Sequence, residues 1–307
     1  MSMAALVDAI QHKGRSMPTV VAVHGIGQQT KGPGVLEDEW GPAFRDGIRQ
    51  AGLPLDGVSL ACAFYGGLFR PAGGARDGAV RAAGDPKYRA SDLSEDEADL
   101  LLALWHEAAR VEPMRVTSPD ADVRASTPAS VQAGLRLLAR SRFFAGLAES
   151  ALIADFKQVR LYLRDARIRA EARAAVDAAV AGDTRVLIGH SLGSVVAYEA
   201  LHVYRDSPRW ANVRTLITLG SPLGIPNLIF DALDPAPAAG RGLWPSGIDR
   251  WANVSDDGDV VALAKQLAPL FGGNLVDVRV VNGATAHDVR PYLTAKEPGA
   301  SIPDGPR

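Results

Sequence analysis

Short apolar runs bounded by glycine, proline or polar residues alternate along this chain with longer stretches of helical spacing. Thr19-Val20-Val21-Ala22-Val23 reads as a buried strand and ends directly in His24-Gly25-Ile26-Gly27. Residues 1–17 before it read as a short helix and a lead-in. Leu36 to Ala51 has helical spacing and is closed by Gly52 and Pro54. Val58, Leu60, Cys62 and Phe64 alternate with further apolar residues, which predicts a second buried strand over 58–65. A Gly-, Arg- and Ala-rich loop follows over 66–88. Ser94-Glu95-Asp96-Glu97 is a capping box that opens a helix through about Ala109. Thr127-Pro128 starts another helix, and apolar content continues through Phe143, Phe144, Leu152 and Phe156 to a last amphipathic stretch ending at Gly182.

Val186-Leu187-Ile188, led in by Thr184 and Arg185, is the next buried strand, and the run from Val195 to Val203 is a helix apolar nearly all round. Strands are expected over 213–219, 251–254 and 275–281, with a helix from Val260 to Leu270 between the last two. Strands alternating with helices predict an α/β class, a mostly parallel sheet with helices on both faces, in a single domain over 1–307. The helical block within 66–150 exceeds what one crossover needs and reads as an inserted cap. Its aromatic edge at Phe143 and Phe144 is read as core packing, with transient contact to a membrane surface as the other reading. Residues 223–247, with several prolines and glycines, form a second irregular excursion, and 295–307 has the composition of a disordered tail.

Composition narrows the function classes. The chain is 47% hydrophobic and 22% charged with a formal net charge of -2, which suits a soluble globular protein and argues against nucleic acid as the main partner. No apolar run approaches the ~18 residues of a membrane span. The first dozen residues lack the basic and apolar regions of a secretory signal, so a cytoplasmic location is expected. Cys62 is the only cysteine, which excludes an internal disulfide and reads as a buried, inert thiol.

Gly189-His190-Ser191-Leu192-Gly193 lies between the strand ending at Ile188 and the apolar helix after it. A G-x-S-x-G pentad at a strand-to-helix turn is the pattern of a nucleophile elbow, in which side-chain-free neighbours leave the serine hydroxyl exposed. The competing reading is a plain helix N-cap by Ser191 or Ser194. At such a site two backbone N–H groups hold the oxyanion, here those of Ile26, in the glycine loop with Gly25 and Gly27, and of Leu192. His24 is expected to order that loop. A phosphate-loop reading of 25–32 lacks the Gly-Lys-Ser/Thr ending, and Pro33 is expected to interrupt the helix after it.

A serine of this kind has its acid and then its histidine later in the chain. Of six histidines only His202 and His287 lie beyond Ser191. His202 falls inside the elbow helix, so His287, after the last strand, is the expected base. Asp256, Asp257 and Asp259 crowd the end of the preceding strand. Asp259 is the first choice for the acid and Asp256 the second, against an N-cap role for Asp259 and a calcium-loop reading that lacks its later glutamate.

With these residues in place, five segments resemble serine hydrolases of the α/β-hydrolase superfamily, lipase/esterase type: VVAVHGIG (20–27), VLIGHSLGSVVAYEAL (186–201), LITLGSPLG (216–224), RWANVSDDGDVVA (250–262) and AHDVRPYL (286–293). The flavour is that of bacterial lipase-like proteins related to GPI inositol-deacylases. The resemblance implies an α/β-hydrolase fold and cleavage of small-molecule or lipid carboxylic esters through an acyl-enzyme on Ser191, with no metal and no cofactor. Thioester hydrolysis or acyl transfer uses the same triad, and a non-catalytic, ligand-binding or partner-docking member of the fold is the alternative of another class. Gly-Ser-Pro-Leu at 220–223 stands where such lipases often carry Gly-Thr-Pro-His.

Overall fold

The computed structural model describes residues 19–52, 58–70, 88–119, 127–141, 144, 148–283 and 286–295. The expected lead-in helix before Thr19, the loop core at 71–87, Phe143 and the tail beyond Ala295 lie outside the described residues.

Six strands form one all-parallel sheet: β1 (Thr19–Val23), β2 (Ser59–Ala63), β3 (Thr184–His190), β4 (Thr215–Leu219), β5 (Arg250–Asp256) and β6 (Leu275–Val280). Their order is β2-β1-β3-β4-β5-β6. The near-continuous apolar runs are explained by this arrangement, because a parallel sheet is covered on both faces. Alternate residues serve opposite sides. Val21, Val23, Leu187, Leu216 and Trp251 face one core, while Val20, Ala22, Ile188, Ile217 and Val254 face the other.

The second core is closed by α1 (Pro33–Gln50), through Leu36, Trp40, Phe44 and Ile48, and by α8 (Val289–Thr294), through Tyr292 and Leu293. The first is closed by α5 (Ala166–Ala179) and α6 (Leu192–Tyr204), with α2 (Glu95–Val111), α3 (Pro128–Arg140) and α4 (Glu149–Arg164) packed over them in one continuous apolar cluster. The expected starts of α2 and α3 are present. Ser94 and Glu97 exchange both capping-box hydrogen bonds, and Thr127 Oγ1 accepts from the Ser130 N–H.

Two local expectations are corrected. Pro33 opens α1 instead of interrupting it, since a proline in the first turn loses no helical hydrogen bond. The helix expected from Val260 to Leu270 shrinks to α7 (Ala268–Phe271). Pro269 has no N–H to give the Lys265 carbonyl, which is taken by Asn253 Nδ2 at 3.2 Å and Ser255 Oγ at 3.1 Å. The 223–247 excursion holds a 3-10 turn at Phe230–Ala232 and an isolated bridge between Ala238 and Arg241, and buries Leu223, Ile225 and Ile229.

Candidate active site

The chain leaves β1 toward one sheet edge and returns at β3 toward the other, so the order reverses between these two strands. In open parallel sheets the crevice beyond the carboxyl ends at such a reversal is where ligands bind. β1 runs out there into His24-Gly25-Ile26-Gly27, and β3 into His190-Ser191. Ser191 sits at φ 53°, ψ −131°, a backbone conformation that costs an L-residue energy and persists only where its surroundings enforce it. They do so by close approach. A Cβ on Gly189 would lie 2.8 Å from the Gly193 carbonyl oxygen and press on the Ser194 backbone, and one on Gly193 would strike the carbonyl oxygens of Val23 and His24. The Ser191 N–H donates to the Leu219 carbonyl (3.0 Å), and Ser194 Oγ donates to the Ser191 carbonyl (2.6 Å). No side-chain cap is made by Ser191 at the head of α6, which removes the plain N-cap reading for that residue.

The β1 loop is pinned by His24. Tyr65 N–H and Gly66 N–H both donate to His24 Nε2, at 3.1 and 3.2 Å, so the proton sits on Nδ1 and is donated to the Gly25 carbonyl at 2.6 Å. Burial pushes this imidazole down to about 4, against the pull of that hydrogen bond, and it stays neutral as a structural pin. Gly25 is packed on the serine, since a Cβ there would lie 2.7 Å from Ser191 Cβ. Gly27 has φ +76° and donates its N–H to Gln158 Oε1 on α4 at 3.3 Å. Ile26 and Leu192 line an apolar cavity together with Ser191, and Leu192, first residue of α6, has an N–H with no acceptor inside its helix.

In the segment after β6, His287 Nδ1 donates to Asp259 Oδ2 at 2.8 Å, and Tyr292 Oη donates to the same oxygen at 2.7 Å. Asp259 Oδ1 accepts from Val261 N–H (3.0 Å) and Ala262 N–H (3.4 Å). One carboxylate oxygen thus faces the His287 ring and the other accepts from a turn at 261–262, and no helix starts at Val260 for Asp259 to cap. Burial of Asp259 opposes its charge, but the charge of His287, the hydrogen bonds from His287 and Tyr292, and the Lys265 ammonium outweigh it and hold the carboxyl below the usual carboxylate range. Lys265 Nζ donates to the Asp259 carbonyl and pairs with Glu107 at 3.4 Å. Asp256 is turned elsewhere: its oxygens accept from Gly258 N–H and Asn282 N–H. Asp257 is exposed and pairs with Arg279.

Ser191 and His287 line one cavity of about 520 Å³, whose mouth carries Gln28, Lys31, Glu39, Asp288 and Arg290. A second, apolar cavity of about 50 Å³ runs from Ser191 under α2 and α4, between Leu100, Leu104, Leu152, Phe156, Ile225 and Ile229. Ile26, Phe144, Asp155, Ser191 and Val261 border both. Phe144, read from sequence as core or lid, is buried and forms part of this wall.

Burial lifts the Asp155 carboxyl to about 7, against the opposing pull of His287. The unfolded side chain titrates near ~3.9, so between that value and about 7 the folded chain binds the extra proton. Stability then falls as pH rises through that window and the penalty is complete above it. An Asp155→Asn variant lacks the penalty, so thermal melts should show it gaining on the wild type from pH 5 to pH 8. A difference between the two that does not change with pH would contradict this.

No family model, curated protein or solved structure matches the chain. Among the described residues no group of three or more His, Cys, Asp or Glu side chains is gathered as a metal would require, and no helix is long and apolar enough to cross a membrane.

Five contributors to the site were not apparent from spacing alone. Tyr292 is the second donor to Asp259. His190 Nε2 donates to the His287 carbonyl at 2.8 Å, and burial followed by repulsion from His287 pushes its imidazole down to about 3, so it remains an uncharged prop. Gly220, at φ +52°, leaves room for the acid and imidazole, because a Cβ there would lie 2.5 Å from Asp259 Oδ2 and 3.0 Å from His287 Nδ1. Lys265 and Asp155 complete the set. Outside the segments that carry the resemblance, Asp155 had a sequence signal, a carboxylate between Leu152, Ile153 and Phe156 on an otherwise apolar helix face.

Proposed function

We propose that this chain is a serine hydrolase of the α/β-hydrolase type that cleaves small carboxylic esters. The observation that carries the reading is Ser191 at its positive φ in one cavity with an imidazole whose Nδ1 is held by a buried carboxylate. Asp259 fixes the tautomer of His287 with the proton on Nδ1, which leaves Nε2 to take the Ser191 proton as Oγ attacks the acyl carbon. The negative charge that develops on the carbonyl oxygen is received by the N–H groups of Ile26 and Leu192, fixed in place before reaction. Protonated His287 then delivers its proton to the leaving alkoxide, and water, deprotonated by the same imidazole, releases the acid.

The apolar cavity beside Ser191 suits the acyl group, and its small volume suits a short one. The larger cavity with its charged mouth suits the alcohol part. Turnover of p-nitrophenyl esters graded in chain length tests the proposal. Butyrate is expected above palmitate, with Ser191→Ala reduced to the uncatalysed background. No turnover of any ester by the wild type would refute it.

A further inference from the structure

The side chains that line the apolar cavity are hydrocarbon apart from the Ser191 hydroxyl and one carboxyl group. Asp155, on α4, lines it with Leu104, Leu152, Phe156 and Val159, and its Oδ1 is sealed from solvent with no hydrogen-bond partner among the described residues. A buried polar oxygen left unpaired is costly, and such groups in native proteins call for an explanation. Its position supplies one. Asp155 borders both cavities together with Ser191, and its Oδ1 lies 4.0 Å from where a Cβ on Gly27 would stand, beside the loop that carries the Ile26 N–H. A group bound there belongs to the part of the substrate next to the reacting carbonyl.

We propose that Asp155 determines specificity by hydrogen-bonding a hydroxyl carried by the acyl group of the substrate, on a carbon close to the ester carbonyl. The proposal rests on the hydrolase reading of the same site. An apolar wall and a carboxyl that keeps its proton up to about 7 favour an uncharged partner over a cationic one. A protonated carboxyl donates through one oxygen and accepts through the other, and a hydroxyl complements both roles. A plain alkyl chain fills the cavity and leaves Oδ1 unpaired. An ammonium group needs the ionised carboxylate that burial disfavours.

Hydrolysis of methyl 3-hydroxybutyrate and methyl butyrate, followed by proton release, gives the ratio of kcat/KM that decides the matter. The wild type is expected to favour the hydroxy ester by about 10- to 100-fold, as for a buried polar group that pairs with one substrate and is stranded by its analogue. Asp155→Leu should bring the ratio to about 1, and Asp155→Asn should retain part of the preference. A purely structural Asp155 would alter both esters together and leave the ratio untouched, which overturns the proposal, as does a wild type that favours butyrate. Calorimetric binding of the same two esters to Ser191→Ala, with and without Asp155→Leu, gives a readout that needs no turnover. Preferential binding of the hydroxy ester that vanishes with Asp155→Leu supports the assignment even where the hydrolase reading fails, and equal binding of both esters refutes it.

Discussion

Replacing His287 with alanine should lower kcat/KM for a short-chain ester by about 10⁴- to 10⁶-fold, while His202→Ala leaves turnover within a few-fold of wild type. The contrast follows from where the two imidazoles stand. His287 lines the cavity that holds Ser191, and its Nδ1 is committed to Asp259. His202 is on α6, packed edge-on against the Tyr198 ring at 4.7 Å, and borders neither cavity at Ser191. Loss of His287 removes the proton acceptor, so the serine is left to attack as a neutral hydroxyl. Stopped-flow or steady-state assays with the two variants, each checked for a cooperative melt, distinguish them. Comparable losses in both would show that the base has been misassigned.

The second large effect is expected at the acid. Asp259→Asn should cost about 10³- to 10⁴-fold in kcat, because an amide at Oδ2 no longer accepts the His287 proton and favours the wrong tautomer. Asp256→Asn should leave kcat nearly unchanged and instead cost about 1–2 kcal/mol of stability. Its carboxylate accepts two backbone N–H groups, from Gly258 and Asn282, that an amide satisfies only in part. Kinetics and denaturant melts on the pair separate the two roles. An Asp256→Asn enzyme more damaged in kcat than Asp259→Asn would exchange the assignments.

Much of this site was legible because strongly local chemistry marks it. Gly189 and Gly193 stand where neighbouring backbone leaves no room for a Cβ, a demand that shows directly in sequence. The central strands β1, β3, β4 and β5 showed as apolar runs, since they are covered on both faces, whereas the edge strand β6 alternates buried and exposed residues. The choice among three aspartates at 256–259 was harder, because all lie within four residues and differ only in which way the chain turns. That turn is set by Tyr292, far along the chain, and Lys265 closing on Asp259, and by Asn253 and Ser255 taking the carbonyl that a helix would have used. The helix expected over 260–270 failed for the same reason, with Pro269 the one local warning. His190 acts through a contact with His287, far along the chain, and no periodicity encodes that.

Activation of the Ser191 hydroxyl as a nucleophile is read out by a fluorophosphonate probe followed by peptide mass mapping. One adduct is expected, on the peptide carrying Ser191, absent from Ser191→Ala and nearly absent from His287→Ala. A folded wild-type protein that takes no label, or takes it on another residue, would contradict it.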